Sequence, residues 1–583
     1  MEECVVRFMN TLETDILILG AGGAGLFAAL HAKKANPDLD VTIAVKGLLG
    51  KCGCTRMVQG GYNVALSPED SVERHFMDTI EGGGWLNNQE LAWLLVETAP
   101  KRIRELETEL GCFFDRNPDG TVHQKAFAGQ TFDRTVHKGD LTGIEIINRL
   151  AEQVWRRSVR RLEDYRALDL IPAADGSGLA GVLMLDMRSG NVTMVRARAT
   201  LLATGGGPTM YRYHTPSGDK SCDGLAMALR AGLPLRDIEM VQFHPTGLLA
   251  GEGTRMTGTV LEEGLRGSGG WLTDTAQKRF MFDYDKRGER ATRDIVSRSI
   301  MDRIRKGFAS PHGGVYIEMG HLGPERVRRE FKGMVERCAD CGFDLAAGRV
   351  EVIPTAHYMM GGVVFDTDCT TPLRGLYAAG EDTGGVHGAN RLGGNGVANS
   401  TVYGGIAGDV MGVRIKPGSA LPDPDNSAIA AAQDRALAPF ALTSAAGDLS
   451  DMRERLYSIM WDDVGILRTA ETLARGKAAL ESLARDIEAC GIPDTSRRYN
   501  LTWMDRLNLE NLTLVSRAIC AASDFRKDSR GAHFREDYPQ TSDLAASAFS
   551  KATLAGDDIQ VTSEPVAFAR VRPGQSLLPQ AAE

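Results

Sequence analysis

The stretch Thr14–Lys34, TDILILGAGGAGLFAALHAKK, decides the fold. Its apolar run Asp15–Leu19 has the pattern of a buried strand, and an alanine-rich helical pattern follows the glycines. Between them lies GxGxxG, in which Gly20 makes the tight turn, Gly22 admits a pyrophosphate and Gly25 lets the helix pack closely. The stretch therefore predicts a Rossmann-like α/β unit that binds a dinucleotide.

A second glycine-dense stretch is Gly375–Gly405, GLYAAGEDTGGVHGANRLGGNGVANSTVYGG. It begins as a short apolar strand that runs into Gly380 and Glu381, and it ends in small residues that can open a helix. Ten glycines in 31 residues let backbone approach a ligand closely. Taken alone, the stretch indicates a nucleotide site, and the alternative is a turn-rich surface loop.

Residues Ala199–Gly207, ATLLATGGG, form a third strand that ends in glycines. A strand ending in Ala-Thr-Gly is typical of flavoproteins in which the chain returns to its cofactor. In order, the three segments resemble the FAD-binding fold of flavoprotein oxidoreductases. Glu381 is placed to hydrogen-bond a ribityl chain, which favours FAD over a dissociable nicotinamide.

The composition excludes several classes of protein. The 583 residues carry a net charge of −9 with 43% hydrophobic and 25% charged residues, which fits a globular protein and argues against nucleic-acid binding. The sequence contains no apolar run of about 18 residues, the length needed to span a membrane. Its N-terminus lacks the pattern of an export signal. Ten scattered cysteines suit reduced thiols in the cytoplasm.

Five ordered motifs, with a sixth near the end of the chain, point to one family. They are FHPTG (Phe243–Gly247), EGLRG (Glu263–Gly267), ATRDIVSR (Ala291–Arg298), TAHYMMGG (Thr355–Gly362), HGANRLGG (His387–Gly394) and SRGAHFRED (Ser529–Asp537). Together they resemble the flavoprotein subunit of succinate dehydrogenase and fumarate reductase, with L-aspartate oxidase as a close relative. The resemblance covers essentially the whole chain.

The resemblance implies an α/β fold: an FAD-binding Rossmann-like domain interrupted by an α+β capping domain and followed by a C-terminal helical domain. The expected bounds are 1–242 and 353–415 for the FAD-binding domain, 243–352 for the cap, 427–545 for the helical domain and 546–583 for an extended tail.

Helical periodicity adds detail to this plan. Residues 85–111 predict two amphipathic helices, and residues 427–525 predict a helical bundle. The apolar faces of the bundle are predicted at Leu456, Ile459 and Met460, and at Leu473, Leu480, Leu483 and Ile487.

The family pattern also implies the catalytic residues. It assigns proton donation to Arg293, with protons relayed through Glu263 and Arg266. A guanidinium has a pKa above about 12, so Arg293 can serve only in a dry site beside a second cation such as Arg266. The flavin carries the hydride chemistry, and the protein orients the reactants and supplies the electrostatic environment.

A C4 dicarboxylate needs cations and neutral donors at both ends. Arg391 can grip one carboxylate with two parallel hydrogen bonds. The substrate-binding residues that the resemblance implies are His244, His357, Arg391, Phe127 and Glu262.

The cofactor-binding residues are expected in the three glycine segments, after the second strand and at the start of the helix after Gly394. They are Gly20, Gly22, Gly23, Ala24, Gly25, Lys46, Cys54, Thr55, Gln59, Gly60, Gly61, Ala203, Thr204, Gly205, Glu381, Asn395 and Val397.

Three positions depart from the expected patterns. The second strand ends in Lys46 where an acid ordinarily binds the ribose, so the ribose contact is unassigned. Cys54 stands where respiratory members carry the histidine that links FAD, which favours noncovalent FAD over a thioether. Glu262 replaces a threonine that can donate to a carboxylate. Either Glu262 turns away, or it is protonated, or the far end of the substrate is not a simple carboxylate.

We therefore expect a fumarate-reductase-type enzyme that interconverts fumarate, or a similar unsaturated C4 diacid, and succinate. Because the sequence carries no cluster motif, it would need an iron–sulfur electron-transfer subunit as a separate partner. It would meet a membrane only through other subunits. The alternatives are an L-aspartate oxidase type and a noncatalytic electron-transferring flavoprotein in a larger redox complex.

Overall fold

The computed structural model describes residues 10–127, 129–251, 254, 256–442 and 447–579. The first part of the chain forms a Rossmann-like domain. Its elements are β1 (Asn10–Leu19), α1 (Gly23–Ala35), β2 (Val41–Val45), β3 (Tyr62–Asn63), α2 (Val72–Gly82), α3 (Gln89–Thr108), β4 (Gln124–Lys125), β5 (Thr135–Val136), α4 (Thr142–Trp155), β6 (Val159–Glu163), β7 (Tyr165–Pro172), β8 (Leu179–Asp186), β9 (Asn191–Leu202), α5 (Asp223–Arg230) and β10 (Leu235–Arg236).

A cap domain follows, with a four-stranded antiparallel sheet in the order β11-β14-β13-β12. Its elements are β11 (Val241–Leu248), α6 (Gly264–Gly267), β12 (Trp271–Thr273), α7 (Arg293–Arg303), β13 (Val315–Glu318), α8 (Pro324–Glu330), α9 (Lys332–Ala339) and β14 (Arg349–Met359). The cap has a hydrophobic core of its own. Strands β11 and β14 enter that core at Leu248 and Val352, whereas their other ends, Val241 and Met359, lie in the central core.

The chain then returns to the first domain and ends in helices and a hairpin. These elements are β15 (Gly362–Val363), β16 (Leu376–Ala378), α10 (Asn395–Arg414), α11 (Asn426–Leu437), α12 (Leu449–Ser458), α13 (Ala470–Ala489), α14 (Leu501–Phe525), β17 (Ala548–Ala555) and β18 (Asp558–Pro565). The predicted apolar faces of the helices are buried, except that Ile459 is half-buried. The α/β fold with a cap and a helical C-terminal domain is confirmed.

The central sheet has seven strands, in the order β6-β2-β1-β9-β8-β7 with β16 beside the end of β9. The residues Ile16–Leu19 of β1 are buried, as expected for a strand covered on both faces. Strands β1, β2, β9 and β16 run parallel, so the loops that follow them open at one edge of the sheet. This topology brings the three glycine segments together.

Helix α10 lies directly against α1 because its facing positions are glycines. A Cβ on Gly404 would lie 2.5 Å from the Ala24 carbonyl oxygen, and one on Gly408 would overlap the Ala28 carbonyl. The close approach fixes α1, and with it the glycine loop at its N-terminus, against the helix that follows the Gly375–Gly405 segment.

The structure differs from the sequence predictions in two places. Residues 89–108 form one helix, α3, although Pro100 lies inside it. Its buried residues, Leu91 and Leu95 before the proline and Ile103 and Leu106 after it, keep one apolar stripe, and their packing outweighs the lost hydrogen bond.

The second difference lies in the tail. Strands β17 and β18 form a hairpin that joins β10 and β15 in the order β15-β10-β17-β18, so the predicted extended segment is paired. Among the described helices, none combines the length and apolarity needed to cross a membrane.

We expect Gly404→Ala to destabilise the protein by about 1–3 kcal/mol, because the added methyl group must push α1 away from α10. Urea unfolding of the FAD-free protein measures this cost. The matched control is Gly218→Ala, where a Cβ would meet no described atom within 4 Å. Equal stability of the two variants would contradict the packing described here.

Candidate active site

The glycine loops of β1 and β9 touch each other. Gly20 has φ +108°, and a Cβ there would overlap the carbonyl oxygen of Ala203. Gly22 is the N-cap of α1 with no capping side chain among the described residues, and Gly23 N–H donates to Thr55 Oγ1 at 3.0 Å. A helix N-terminus beside bare backbone is suited to the phosphates of a dinucleotide.

An acid from elsewhere in the chain, Asp223, lies at the end of β2. Lys46 Nζ lies 2.8 Å from Asp223 Oδ2 and 2.8 Å from Ser221 Oγ, in the cleft lined by Gly20, Gly22 and Ala203–Gly205. Burial opposes ionisation of Asp223, but Arg166 and Lys46 outweigh it and hold the pKa of Asp223 below its usual range. Asp223 is therefore an ionised carboxylate in this cleft, beside the end of β2.

Glu381 and Asp382 bind the backbone where the glycine segments meet. Glu381 Oε1 accepts from Met359 N–H at 3.0 Å and from Gly207 N–H at 3.2 Å. Asp382 accepts from the backbone and hydroxyl of Thr204 and from Gly205 N–H. The two carboxylates hold the loop after β9 against the loop after β16.

Cys54 directly follows Gly53, which lines the cleft; it is partly exposed and lies near Lys220 and Glu381. Desolvation by the surrounding protein raises the pKa of its thiol to about 12. Lys220 Nζ donates to Thr204 O at 2.7 Å. Cys54 is therefore a neutral thiol at neutral pH, and a neutral thiol is a poor nucleophile.

Gln59, Gly60 and Gly61 contact the cap and Phe127. With its amide oxygen turned toward the cap, Gln59 accepts from Arg337 Nη2 at 2.9 Å. A Cβ on Gly60 would lie 2.6 Å from the Phe127 ring, and Gly61 has φ +145°. Phe127 therefore packs on the backbone of Gly60.

Arg293, Glu263 and Arg266 form a continuous buried chain. Glu263, the N-cap of α6, binds Arg293 Nη2 at 2.6 Å and Nε at 3.1 Å through Oε2, and Arg266 Nη2 at 3.2 Å through Oε1. Burial opposes ionisation of Glu263, but the two guanidiniums outweigh it and keep its pKa below the usual range. Arg293 Nη1 also binds Gln242 Oε1 at 3.0 Å.

His244 and His357 lie on the neighbouring strands β11 and β14, with ring centroids 5.5 Å apart. The register between β11 and β14 shifts before and after His244, and such irregularities change the direction of a side chain. Its Nδ1 accepts from Thr246 N–H at 3.3 Å, which leaves the proton on Nε2. Burial first, and then nearby guanidiniums, lower the pKa of both histidines well below the usual value. They are neutral hydrogen-bond donors.

Arg391 is buried, and its guanidinium lies 4.4 Å from the ring centre of Tyr358. Burial and Arg293 lower the pKa of Arg391 to about 10. Its Nε is buried and has no hydrogen-bond partner among the described residues. Such an orphaned donor in a dry site indicates a place for an anionic ligand.

Glu262 forms an ion pair with Lys125 at 2.5 Å. Lys125 Nζ lies 5.7 Å from the centre of the Phe127 ring. A Cβ on Gly393 would contact Phe127 and Glu263 at 2.7 and 2.9 Å, so the ring borders the chain of Arg293, Glu263 and Arg266. The partner of Glu262 is thus a lysine of the Rossmann-like domain.

The remaining predicted cofactor residues lie in the first turns of two helices. Ala24 and Gly25 begin α1, and Asn395 and Val397 begin α10. The Asn395 side chain is used within the protein, since Oδ1 accepts from Asn63 at 2.9 Å and contacts His75 Nε2 at 2.9 Å. Only its backbone is left for a ligand.

Comparison with known proteins agrees with this geometry. The family described as "FAD binding domain" matches residues 15–397, and "Fumarate reductase flavoprotein C-term" matches residues 453–578. A subunit of the fumarate reductase (CoM/CoB) of Methanothermobacter marburgensis is 38% identical, over 91% of this chain and 95% of its own length. The Escherichia coli fumarate reductase flavoprotein subunit is 34% identical, over 91% and 89%.

A solved structure of Escherichia coli quinol fumarate reductase FrdA, a mutant, superposes with a TM-score of 0.90 at 31% identity, covering 98% of this chain and 99% of that one. The chain belongs to the fumarate reductase and succinate dehydrogenase flavoprotein family. It is an FAD-dependent oxidoreductase of that type. The cradle at Gly20 and Gly22, and Asp223 at the far end of the same cleft, fit FAD.

Four residues of the site in this flavoprotein were not predicted from its sequence: Asp223, Lys220, Gln242 and Lys125. Gln242 directly precedes the FHPTG motif, and Asp223 opens an apolar helix, so both had a weak local signal. Lys220 and Lys125 had none, because each acts through a contact with a distant part of the chain.

We expect Asp223→Asn to weaken FAD binding by about 10–100-fold, since a hydrogen bond to a charged acceptor contributes about 1.5–3 kcal/mol. Titration of the FAD-free protein, followed by quenching of flavin fluorescence, measures the Kd. Asp368→Asn, at an exposed ion pair with Arg414, is the control. Wild-type affinity in Asp223→Asn would exclude the ribose contact.

Proposed function

We propose that this flavoprotein interconverts fumarate and succinate, with Arg293 as the proton donor and an iron–sulfur protein as its electron partner. The observation that carries the proposal is the buried chain Arg293–Glu263–Arg266, beside two neutral histidines and Arg391, whose Nε has no partner among the described residues. The names of the two relatives supply the substrate class.

Charge balance favours a dianion. Three guanidiniums and the carboxylate of Glu263 leave two positive charges in the pocket, and the Lys125–Glu262 pair adds none. Arg391 holds one carboxylate, and His244 and His357 donate from the neighbouring strands. Phe127 covers the diacid from the side of Gly60.

In the reaction, the protein orients the substrate, excludes water and donates a proton. Bound FAD supplies the hydride chemistry. Arg293 holds a proton at Nη1 or Nη2 beside the substrate carbon. After Arg293 has donated it, the ionised Glu263, whose Oε2 lies 2.6 Å from Nη2, relays a proton to Arg293 from the side of Arg266. Arg266 lies at the far side of Glu263, and burial lowers its pKa. The positive charge of Arg266 reduces the free-energy cost of the step in which Arg293 gives up its proton.

FAD is held without a covalent bond in this proposal. A thioether at Cys54 requires a thiolate, and the raised pKa of Cys54 disfavours one. Without an electron-withdrawing link at the 8α position the flavin potential is lower, which favours fumarate reduction over succinate oxidation. Both relatives are named as subunits, which supports a separate electron-transfer partner.

We expect Arg293→Gln to lower fumarate reduction by about 10²–10⁴-fold while FAD content stays the same, because general acid catalysis is lost. Anaerobic reoxidation of the reduced protein by fumarate measures the rate. Arg298→Gln is the matched control, since Arg298 lies on the same helix and pairs with Asp294. Undiminished reoxidation in Arg293→Gln would favour a noncatalytic electron-transferring flavoprotein.

The oxidised protein in air separates the proposal from an L-aspartate oxidase. Reduction of FAD by L-aspartate, with hydrogen peroxide formed from oxygen, would favour the L-aspartate oxidase activity.

Acid precipitation tests the attachment of FAD. We expect a colourless pellet and yellow FAD in the supernatant, because the neutral Cys54 thiol has formed no bond. A yellow pellet that loses its colour in Cys54→Ser would show a thioether instead.

A further inference from the structure

The ion pair between Lys125 and Glu262 joins the two domains beside the active site. Lys125 ends β4 of the Rossmann-like domain, and Glu262 precedes α6 of the cap. Their charged atoms lie 2.5 Å apart, with side chains 20% and 11% exposed. Shielding from solvent makes such a pair less sensitive to salt than an exposed one.

Both partners are close neighbours in sequence of residues in the reaction site. Lys125 lies two positions before Phe127, and Glu262 directly precedes Glu263. The Glu262 carbonyl also accepts the first hydrogen bond of α6, from Leu265 N–H at 3.1 Å. The pair therefore fixes the turn that presents Glu263 and Arg266.

A second polar bridge supports the same turn. Arg337, on cap helix α9, donates to Val260 O at 2.9 Å and to Gln59 of the Rossmann-like domain at 2.9 Å. Gln59 is followed by Gly60, on which Phe127 packs. Both bridges thus connect the cap segment 260–262 to the backbone that carries Phe127.

We propose that Lys125 and Glu262 are positioning residues that clamp the cap over the substrate and hold Glu263 in line with Arg293. The inference rests on the proposed function only in that fumarate is the substrate used to report it. Because the pair is neutral as a whole, it clamps the cap without changing the charge that the diacid meets.

The test uses the FAD-loaded protein and the variants Lys125→Met, Glu262→Gln and the exchanged double variant Lys125→Glu/Glu262→Lys. Each single variant leaves one charge unpaired. We expect each to raise the KM for fumarate about 10-fold while kcat falls by less than about threefold, the range of one charged hydrogen bond. Hydrogen exchange of residues 259–268 is expected to become faster in parallel.

The exchanged pair is expected to restore both KM and hydrogen exchange, since the coupling belongs to the pair. Glu536→Gln is the control, because it breaks the exposed pair of the cap residue Arg305 with the helical domain, away from the site. We expect it to leave the exchange of residues 259–268 unchanged.

Three results would overturn the clamp. They are unchanged hydrogen exchange in both single variants, failure of the exchanged pair to restore it, or a lower KM in Glu262→Gln. The last would mean that Glu262 repels the diacid directly. If the wild-type protein does not reduce fumarate, the proposed function fails, whereas hydrogen exchange without substrate still tests the clamp.

Discussion

One buried carboxylate between two guanidiniums organises the cap side of the active site. Glu263 is 4% exposed and Arg266 is 1% exposed, so neither charge is hydrated to any extent. Buried charges are tolerated only when their partners are well placed, and breaking one contact leaves an uncompensated charge. The geometry of α6 and α7 is therefore fixed by Glu263, which binds Arg266 within α6 and Arg293 at the start of α7.

Glu263 balances only one of the positive charges of the site, and Tyr358 and Gln242 position the arginines that carry the others. Arg391 lies over the Tyr358 ring, and Gln242 binds the Arg391 carbonyl at 2.7 Å as well as Arg293. One amide of β11 thus ties together two cations that come from different domains. A dianion completes the balance, and a ligand that binds only the folded state also stabilises it. The same electrostatic attraction would then bind the ligand and stabilise the folded protein.

Local pattern was sufficient to predict the fold and the residues inside ordered motifs, because a segment such as Thr14–Lys34 encodes its strand, loop and helix together. Contacts between distant segments were not predictable in the same way. Asp223, from a helix much later in the chain, lies beside Lys46 at the end of β2. The differences have the same origin: tertiary packing makes one helix, α3, in the stretch where two were predicted, and the extended tail pairs with β10. Three interpretations of Glu262 were open, since its ion pair with Lys125 depends on how two domains meet.

The polar groups of the site differ in whether their charge changes with pH near neutrality. Burial lowers the pKa of His244 and His357, so both are neutral in the folded protein, and the stability they contribute is lost as pH falls below about 6.5, their value in the unfolded chain. Above that pH, the charge on the pocket comes from guanidiniums and Glu263 alone. Arg391, with its pKa lowered to about 10, still carries its charge at neutrality. The pocket therefore presents the same net charge to a ligand across the neutral range of pH.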